Sequence, residues 1–373
     1  MHNETTPENP GKKRGGLKHA LSAAGFLAVL MAAFLFFTYL FRPTFSYSRL
    51  NILRYYAEER NTVDVVLIGA SSFYRFFNPV QAYEMSGITS YDYAVAGMQG
   101  CNYITGIRDV MRTQKPKLLL IDARRFTESR VEIATPDKSR FYFDALDVGL
   151  NRMRGIWHFS WEYDVPIDET LELAFDISLY HNNTEALSDP LRWKLADNRV
   201  GADSRKKNAK GFLPRSSVKQ VALPSFSGEG EEPLTERQER VYREVCAYLA
   251  GLDTEAVMMV CAYSVTDGAE RQFRAMKRIA EEYGIGFLDT NEFQEEIGYN
   301  YDTDFYNKRH TNLLGAEKFT AFLTKYLTEH YDLPDHRGDA RYSSWDDALL
   351  AFHEKAEKIH KTMEDKIAEL YGT

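Results

Sequence analysis

Residues 63–79 read VDVVLIGASSFYRFFNP, and this stretch restricts the fold more sharply than any other in the chain. Val63, Val65, Val66, Leu67 and Ile68 make an apolar, β-branched run, the composition of a strand buried on both faces of a parallel sheet. Gly69-Ala70-Ser71-Ser72 follows without a spacer, so the strand turns on small residues and two hydroxyls. Open α/β sheets collect their chemistry outside the carboxyl ends of their strands. A serine on such a turn presents its Oγ to a cleft, with backbone N–H groups close by. The same residues also suit an ordinary strand-to-helix turn, in which Ser71 or Ser72 caps the next helix.

The segments that follow repeat the pattern. A short helix over 79–85 leads to a strand over 90–95, which ends in Ala96-Gly97-Met98-Gln99-Gly100. A helix over 102–113 and a third strand over 117–122 come next. Short connections between these elements call for a parallel sheet with right-handed crossovers. Residues 124–233 break the rhythm. Helical patches at 141–153 and 167–179 are followed by a polar stretch at 201–215 and by SFSGEGEEP at 225–233, so the segment reads as a mostly helical insertion or cap. Trp157, Trp161, Tyr163, Tyr180 and Trp193 either form its small core or line a sugar-binding surface. Alternation resumes with Leu234-Thr235 capping a helix over 236–250. Strands over 256–261 and 286–289, with a helix over 268–283 between them, lead to a closing helix over 313–330. A polar loop, residues 302–312, should emerge at the same sheet edge as Ser71.

Both ends of the chain carry helical signals. Residues 20–41 are free of charge and rich in Phe, Leu and Ala, and about 20 such residues cross a bilayer as a helix. Lys12, Lys13, Arg14 and Lys18 precede the span, which places residues 1–19 in the cytoplasm and everything after Pro43 outside it. The span exceeds the apolar core of a cleaved signal peptide, and Phe41-Arg42-Pro43 is a poor cleavage site. A short helical linker over 46–61 joins the span to the first strand. Residues 343–370 place Trp345, Leu349, Phe352, Ala356, Ile359, Met363, Ile367 and Leu370 on one helical stripe, suited to docking on the domain or to pairing with another chain.

Charge and cysteines exclude several classes. A net charge of −8 argues against a nucleic-acid binder. Residues 1–42 hold five basic and two acidic side chains, so the exported part, with 41 basic and 52 acidic residues, stands at −11. Any hold on an anionic polymer must therefore be local. Cys101, Cys246 and Cys261 lack metal-ligand or disulfide-framework spacing and read as buried small hydrophobes. No metal or cofactor motif is apparent.

The early Gly69-Ala70-Ser71 turn, the turn at Gly97 and the late His310-Thr311-Asn312-Leu313-Leu314-Gly315 together resemble the SGNH/GDSL hydrolase superfamily. More narrowly, they are similar to its membrane-anchored bacterial members, such as the D-alanyl transfer protein DltD and the alginate-acetylation proteins. The match spans roughly residues 60–330, interrupted by the insertion. It implies Ser71 as nucleophile, His310 as general base, and the N–H groups of Ser71 and Gly97 as oxyanion donors. A serine hydroxyl needs such a base within hydrogen-bond reach before it attacks an acyl carbonyl.

Two departures from that pattern stand out. Asn307 occupies the position three residues before the histidine, where the family has Asp; Asp304 or Asp302 is the alternative support, or the site runs as a Ser–His pair. No Gly-x-Asn-Asp block follows the third strand, where the chain reads Ile121-Asp122-Ala123-Arg124-Arg125; Arg124 or Arg125 is then a candidate third oxyanion donor or a holder of an anionic acceptor.

The expected architecture is an α/β, flavodoxin-like three-layer sandwich with about five parallel strands, built from residues 46–123 and 234–330, with the helical insertion and an N-terminal transmembrane helix. The expected activity is that of a membrane-tethered, extracytoplasmic serine esterase or O-acyltransferase. It would act on acyl groups of a cell-envelope glycan or glycopolymer, with a membrane acyl-donor protein as a further partner. Two alternatives are a catalytically degenerate glycan-binding or assembly component, and a membrane scaffold whose C-terminal helix binds a partner.

Overall fold

The computed structural model describes residues 10–41, 47–127, 136–175, 177–180, 208–222, 229–262 and 267–372. Helix α1 (Pro10–Phe41) comes first, and its residues 18–38 form an apolar span of 21 residues with none of its most apolar window buried. After it come α2 (Tyr47–Ala57), β1 (Val65–Gly69), α3 (Ser71–Tyr74), α4 (Pro79–Ser86), β2 (Ser90–Ala94), α5 (Tyr103–Val110) and β3 (Leu118–Asp122). The next group is helical: α6 (Pro136–Phe143), α7 (Leu150–Glu162), α8 (Ile167–Ala174) and α9 (Ile177–Tyr180). The second half holds α10 (Glu236–Ala250), β4 (Glu255–Val260), α11 (Asp267–Glu282), β5 (Gly286–Asp289) and α12 (Gln294–Ile297). A small hairpin, β6 (Phe305–Asn307) and β7 (His310–Thr311), precedes α13 (Leu313–His330) and α14 (Ser343–Tyr371).

By contact the chain divides into two units, Met1–Pro43 with Phe175–Lys194, and Thr44–Ala174 with Leu195–Thr373. In the first, Leu40 and Phe41 of α1 pack with Ile177 and Tyr180 of α9, and the rings of Phe34 and Phe175 meet edge-on at 5.1 Å.

The second unit is built on a five-stranded, all-parallel sheet in the order β2-β1-β3-β4-β5. Every residue of β1, β2 and β3 is buried, as the continuous apolar runs of the inner strands β1 and β3 require, and β2 (SYDYA) is buried although it lies at one edge of the sheet. β5, at the other edge, is partly exposed. Chain direction across the sheet reverses between β1 and β3, with β2 on one side and β3–β5 on the other. That reversal opens a crevice at the carboxyl ends of β1 and β3.

Local chemistry sets the helix ends. Asn78 accepts from the Val80 N–H at the start of α4, where Pro79 supplies a preset φ, and Thr235 and Gln238 form a reciprocal capping box on α10. Asn312 caps α13 by accepting from the Gly315 N–H. The C-terminal stripe docks at home: Trp345, Ala348, Phe352, Ala356 and Met363 are buried, several of them against Val80, Leu313 and Ala316.

Helices α6, α7 and α8 of the insertion belong to the same unit as the sheet. Two expectations change. The 302–312 loop contains a hairpin rather than irregular chain throughout. Trp157 and Trp161 are 52% and 86% exposed and so are not a cap core. The buried centre there includes Arg152, whose guanidinium donates to the carbonyls of Phe143, Leu173 and Ala174, each at 2.8 Å, and so satisfies the ends of α6 and α8. Residues 208–222 run without regular structure along the sheet domain: Lys210 O accepts from Asp92 N, Leu213 N donates to Tyr74 O, and Lys219 N donates to Phe305 O. Residues 201–207 and Trp193 lie outside the described residues. The three cysteines are free and buried.

Candidate active site

The site begins where β1 stops. A Cβ on Gly69 would stand 2.6 Å from the Asp122 Cβ, so only glycine lets the ends of β1 and β3 approach this closely. Ala70 is extended, Phe73 N–H returns to Ala70 O at 3.0 Å, and Ser71 becomes the first residue of α3. This turn separates the two hydroxyls: Ser72 is buried, while Ser71 is half-buried and faces the hairpin.

His310 Nε2 lies 2.7 Å from Ser71 Oγ, across 239 residues of chain. The β6–β7 pairing sets Asn307 opposite His310, and Asn307 Oδ1 lies 3.0 Å from the ring Nδ1. The same Oδ1 accepts the Arg309 N–H at 2.8 Å. A backbone N–H can only donate, so the amide atom it meets is the oxygen, and that orientation obliges Nδ1 to carry the ring proton. Nε2 is then the bare nitrogen, facing the serine hydroxyl. Asn307 thus selects the tautomer a serine-activating base needs, without supplying a negative charge.

Positive charge surrounds this pair. Burial, followed by the guanidiniums of Arg124, Arg75 and Arg309, lowers the His310 pKa to about 3, which keeps the imidazole neutral. Tyr306 stacks on the His310 ring at 5.5 Å between centroids, and the guanidiniums of Arg75 and Arg215 lie 5.5 and 5.8 Å from the Tyr306 ring centre. Arg75 is itself buried and donates to Leu213 O, and the segment carrying Arg215 is fixed by Leu313 N donating to Arg215 O at 3.0 Å. Arg75, Arg215 and Arg309 have no carboxylate partner among the described residues.

The remaining sequence-predicted residues sit as follows. Asp304 does not reach His310: it is buried 2.8 Å from Lys318 Nζ and accepts the Asn300 N–H at 2.7 Å. Its carboxyl braces the loop against α13, where the approach is close enough that a Cβ on Gly315 would stand 2.4 Å from Asp304 O. Asp302 accepts from Gln220 at 2.7 Å and is likewise elsewhere. Gly97 has a positive φ of 69° with open space at its missing Cβ, and its carbonyl is 3.4 Å from Arg125 Nη2. Arg125 also donates to Met98 O at 2.8 Å, so it braces the Gly97 turn. Arg124 lies beside His310 in charge, and its N–H donates to Asp122 Oδ1 at 3.2 Å.

Sequence reasoning missed Arg75, Tyr306, Arg215 and the buried Ser72–Asp122 hydrogen bond. Arg75 was accessible as the residue four after Ser71, one helical turn on. Tyr306 neighbours Asn307 in sequence. Arg215 carried no signal, because it arrives on an irregular segment. Among the described residues no group of three or more His, Cys, Asp or Glu side chains is placed to hold a metal ion. Compared with protein-family models and with curated proteins, the chain matches none.

Proposed function

We propose that this chain is a membrane-tethered, extracytoplasmic serine esterase or O-acyltransferase of the SGNH/GDSL type, acting on acyl groups of a cell-envelope glycan or glycopolymer. The observation that carries the reading is the 2.7 Å approach of His310 Nε2 to Ser71 Oγ, with the ring proton held on Nδ1 by Asn307. His310 takes the Ser71 proton as Oγ bonds to the acyl carbon. The carbonyl oxygen becomes an oxyanion, met by the N–H groups of Ser71 and Gly97; one such donor contributes about 3 kcal/mol to the transition state. His310 returns the proton to the departing alcohol oxygen, leaving the acyl group on Ser71. Water then releases the acid, or an acceptor hydroxyl takes the acyl group, with His310 again moving the proton.

The arginines complete the chemistry. Alone they oppose formation of the imidazolium, because each adds repulsion to a nearby positive ring. An anionic group on the substrate, or the oxyanion itself, offsets that field and raises the basicity of His310 once substrate is present. A substrate with anionic groups beside the acyl ester therefore suits both binding and proton transfer, in a protein whose overall charge is negative. The strand order β2-β1-β3-β4-β5 agrees with a flavodoxin-like, three-layer arrangement with its ligand at the switch point.

Helix α1 acts as the anchor, its basic N-terminal flank in the cytoplasm and the sheet domain outside. The packing of Phe175, Ile177 and Tyr180 on Phe34, Leu40 and Phe41 favours a retained helix over a removed leader. Tethering raises the effective concentration of substrate at the membrane surface.

A second reading, a glycan-binding or assembly component without turnover, is favoured by one observation: Asn307 stands where a carboxylate would stabilise the imidazolium. Replacing the triad aspartate by asparagine in a serine protease lowers the rate by about 10⁴. Labelling of the full chain in detergent with a fluorophosphonate decides between the two. Labelling that disappears in Ser71→Ala and His310→Ala supports the enzyme; a folded chain that never labels favours the binding component. Label retained in Ser71→Ala would place the nucleophile elsewhere.

A further inference from the structure

Two buried arginines show how this fold keeps a guanidinium away from water. Arg49 pairs with Asp147 at 3.2 Å and donates to Ala145 O at 2.7 Å. Arg152 donates to three carbonyls and lies 3.6 Å from Asp144. Arg75 is 5% exposed and is kept differently. It donates to Leu213 O, its Nε has no hydrogen-bond partner, and among the described residues no carboxylate pairs with it. The rings of Tyr74 and Tyr306 are centred 5.1 and 5.5 Å from its guanidinium carbon. A guanidinium keeps its charge at any ordinary pH, and a buried charge without a counter-charge is costly.

Its position matters as much as the missing partner. Arg75 follows Ser71 by four residues and is one of the cations that hold the His310 pKa down. The exposed Arg215 stands over the same Tyr306 ring, 5.8 Å from its centre. Its charge acts on Arg75, whereas the cations acting on His310 are Arg124, Arg75 and Arg309. Two guanidiniums therefore lead outward from the Ser71–His310 pair, Arg75 inside and Arg215 at the surface. Backbone bonds fix the segment that carries Arg215: Leu213 N donates to Tyr74 O, and Leu313 N donates to Arg215 O. Positive charge and free N–H groups held in place match an oxyanion that accepts several hydrogen bonds at once.

We infer that Arg75 and Arg215, on the Tyr306 ring, form an anion-binding subsite beside Ser71 that holds a carboxylate or phosphodiester of the glycopolymer next to its acyl ester. The anion thereby has a defined seat, and Arg215 becomes a determinant of which esters are turned over. The inference rests on the reading of Ser71 as the serine that takes the acyl group. Filling the subsite supplies the counter-charge that Arg75 lacks. Anion binding and proton binding are then linked: the seated anion raises the affinity of His310 for a proton, and a protonated His310 holds the anion more tightly.

The test is anion binding by the full chain in a neutral detergent, read as the rise in its thermal unfolding midpoint over an equal ionic strength of sodium chloride. The probes are dimethyl phosphate, a phosphodiester, and the methyl glycoside of glucuronic acid, a carboxylate. A saturable rise is expected with at least one of them, and the probe that gives it identifies the anion. Arg75→Gln and Arg215→Gln should each weaken the apparent affinity about tenfold or more, the size of one charge-assisted contact. Arg309→Gln, which removes only part of the positive field at His310, should weaken it less. Arg215 is exposed, so its variant tests the subsite even if Arg75→Gln misfolds. No rise with either probe overturns the inference, as does an affinity unchanged in Arg215→Gln. An equal loss in all three variants also overturns it, since a diffuse field and not a subsite would then hold the anion. Fluorophosphonate labelling of the same samples reads Ser71 separately. A chain that binds the anion through Arg75 and Arg215 but never labels supports the subsite and removes the acyl-transfer reading.

Discussion

Two adjacent serines leave the same turn and receive opposite partners. Ser71 meets a histidine and no acid; Ser72 meets an acid, Asp122, and no histidine. The first pair is half-buried, ringed by arginines and supported by a neutral amide. The second is buried beneath it, where Asp122 ties α3 to the segment after β3 through the Arg124 N–H. Position on the turn explains the division. The first residue of α3 points toward the hairpin, and the second points back between β1 and β3, where only hydrogen-bonded polar groups are tolerated. The carboxyl in this crevice therefore serves structure, and His310 is left with a group that orients it but adds no charge.

The comparison breaks most visibly at the serines themselves. Ser71→Ala is expected to abolish fluorophosphonate labelling, with stability within about 1 kcal/mol of the parent, since one partly exposed hydrogen bond is lost. Ser72→Ala should keep the label but lower stability by about 1–3 kcal/mol in urea denaturation, because it strips a buried carboxyl of a donor. If the two variants behaved alike, the separation of roles would be wrong.

Asn307→Asp sharpens the comparison by giving the Ser71–His310 pair the charge it lacks. A carboxylate 3.0 Å from Nδ1 stabilises the imidazolium and raises the His310 pKa. Ester turnover should rise by between about 10-fold and 10⁴-fold, the upper figure being the loss seen for the reverse change in a serine protease. The acid limb of the pH–rate profile should move upward with it. A labelled but unaccelerated Asn307→Asp chain would mean that the surrounding arginines, rather than the missing carboxylate, limit His310 in the proposed reaction.

Asp122 provides the structural counterpart. Asp122→Ala leaves the Ser72 hydroxyl and the Arg124 N–H unpaired in a buried crevice and is expected to cost about 3 kcal/mol or more. Asp122→Asn keeps the shape and one acceptor and should cost less. Thermal or urea unfolding distinguishes the two. The order of these losses, and not their absolute size, tests whether Asp122 acts by bonding the turn.

Much of this arrangement was legible in the sequence, for identifiable reasons. Inner parallel strands announce themselves as apolar β-branched runs, so β1, β3 and β4 stood out. The helix starts at Pro79, Glu236 and Leu313 follow from the local caps Asn78, Thr235 and Asn312. Ser71, Asn307 and His310 were readable because each sits in a short pattern on a turn or hairpin. Which side chain faces the ring was not readable. Asp304 and Asn307 are three residues apart, and only the β6–β7 register and the Lys318 contact separate them. The tryptophans of α7 misled for a related reason: helical spacing gives a face but not its direction. Here the inward face holds Arg152, an arginine that hydropathy assigns to solvent and that helix-end carbonyls make welcome inside. Arg215 reaches Tyr306 on an irregular segment, and no periodicity encodes such a placement.

The smallest expected effect concerns the charge field itself. His310 titrates near 6.5 in the unfolded chain and about 3 in the folded one, so between those values the unfolded state binds more protons. Stability must then rise with pH across that window and fall as pH drops through it; the contribution is complete above the unfolded value and gone below the folded one. His310→Asn removes this slope while leaving a polar side chain in place, so urea midpoints at pH 4 and pH 7 should differ less in the variant than in the parent. Arg75→Gln takes away one of the cations that lower the imidazole pKa, and should shrink the pH window without abolishing it. A pH dependence in Arg75→Gln parallel to the parent's, with His310→Asn flatter than both, would show that Arg75 is screened from His310 by solvent. The anion-assisted base would then lose its physical footing, while the Ser71–His310 contact would stand.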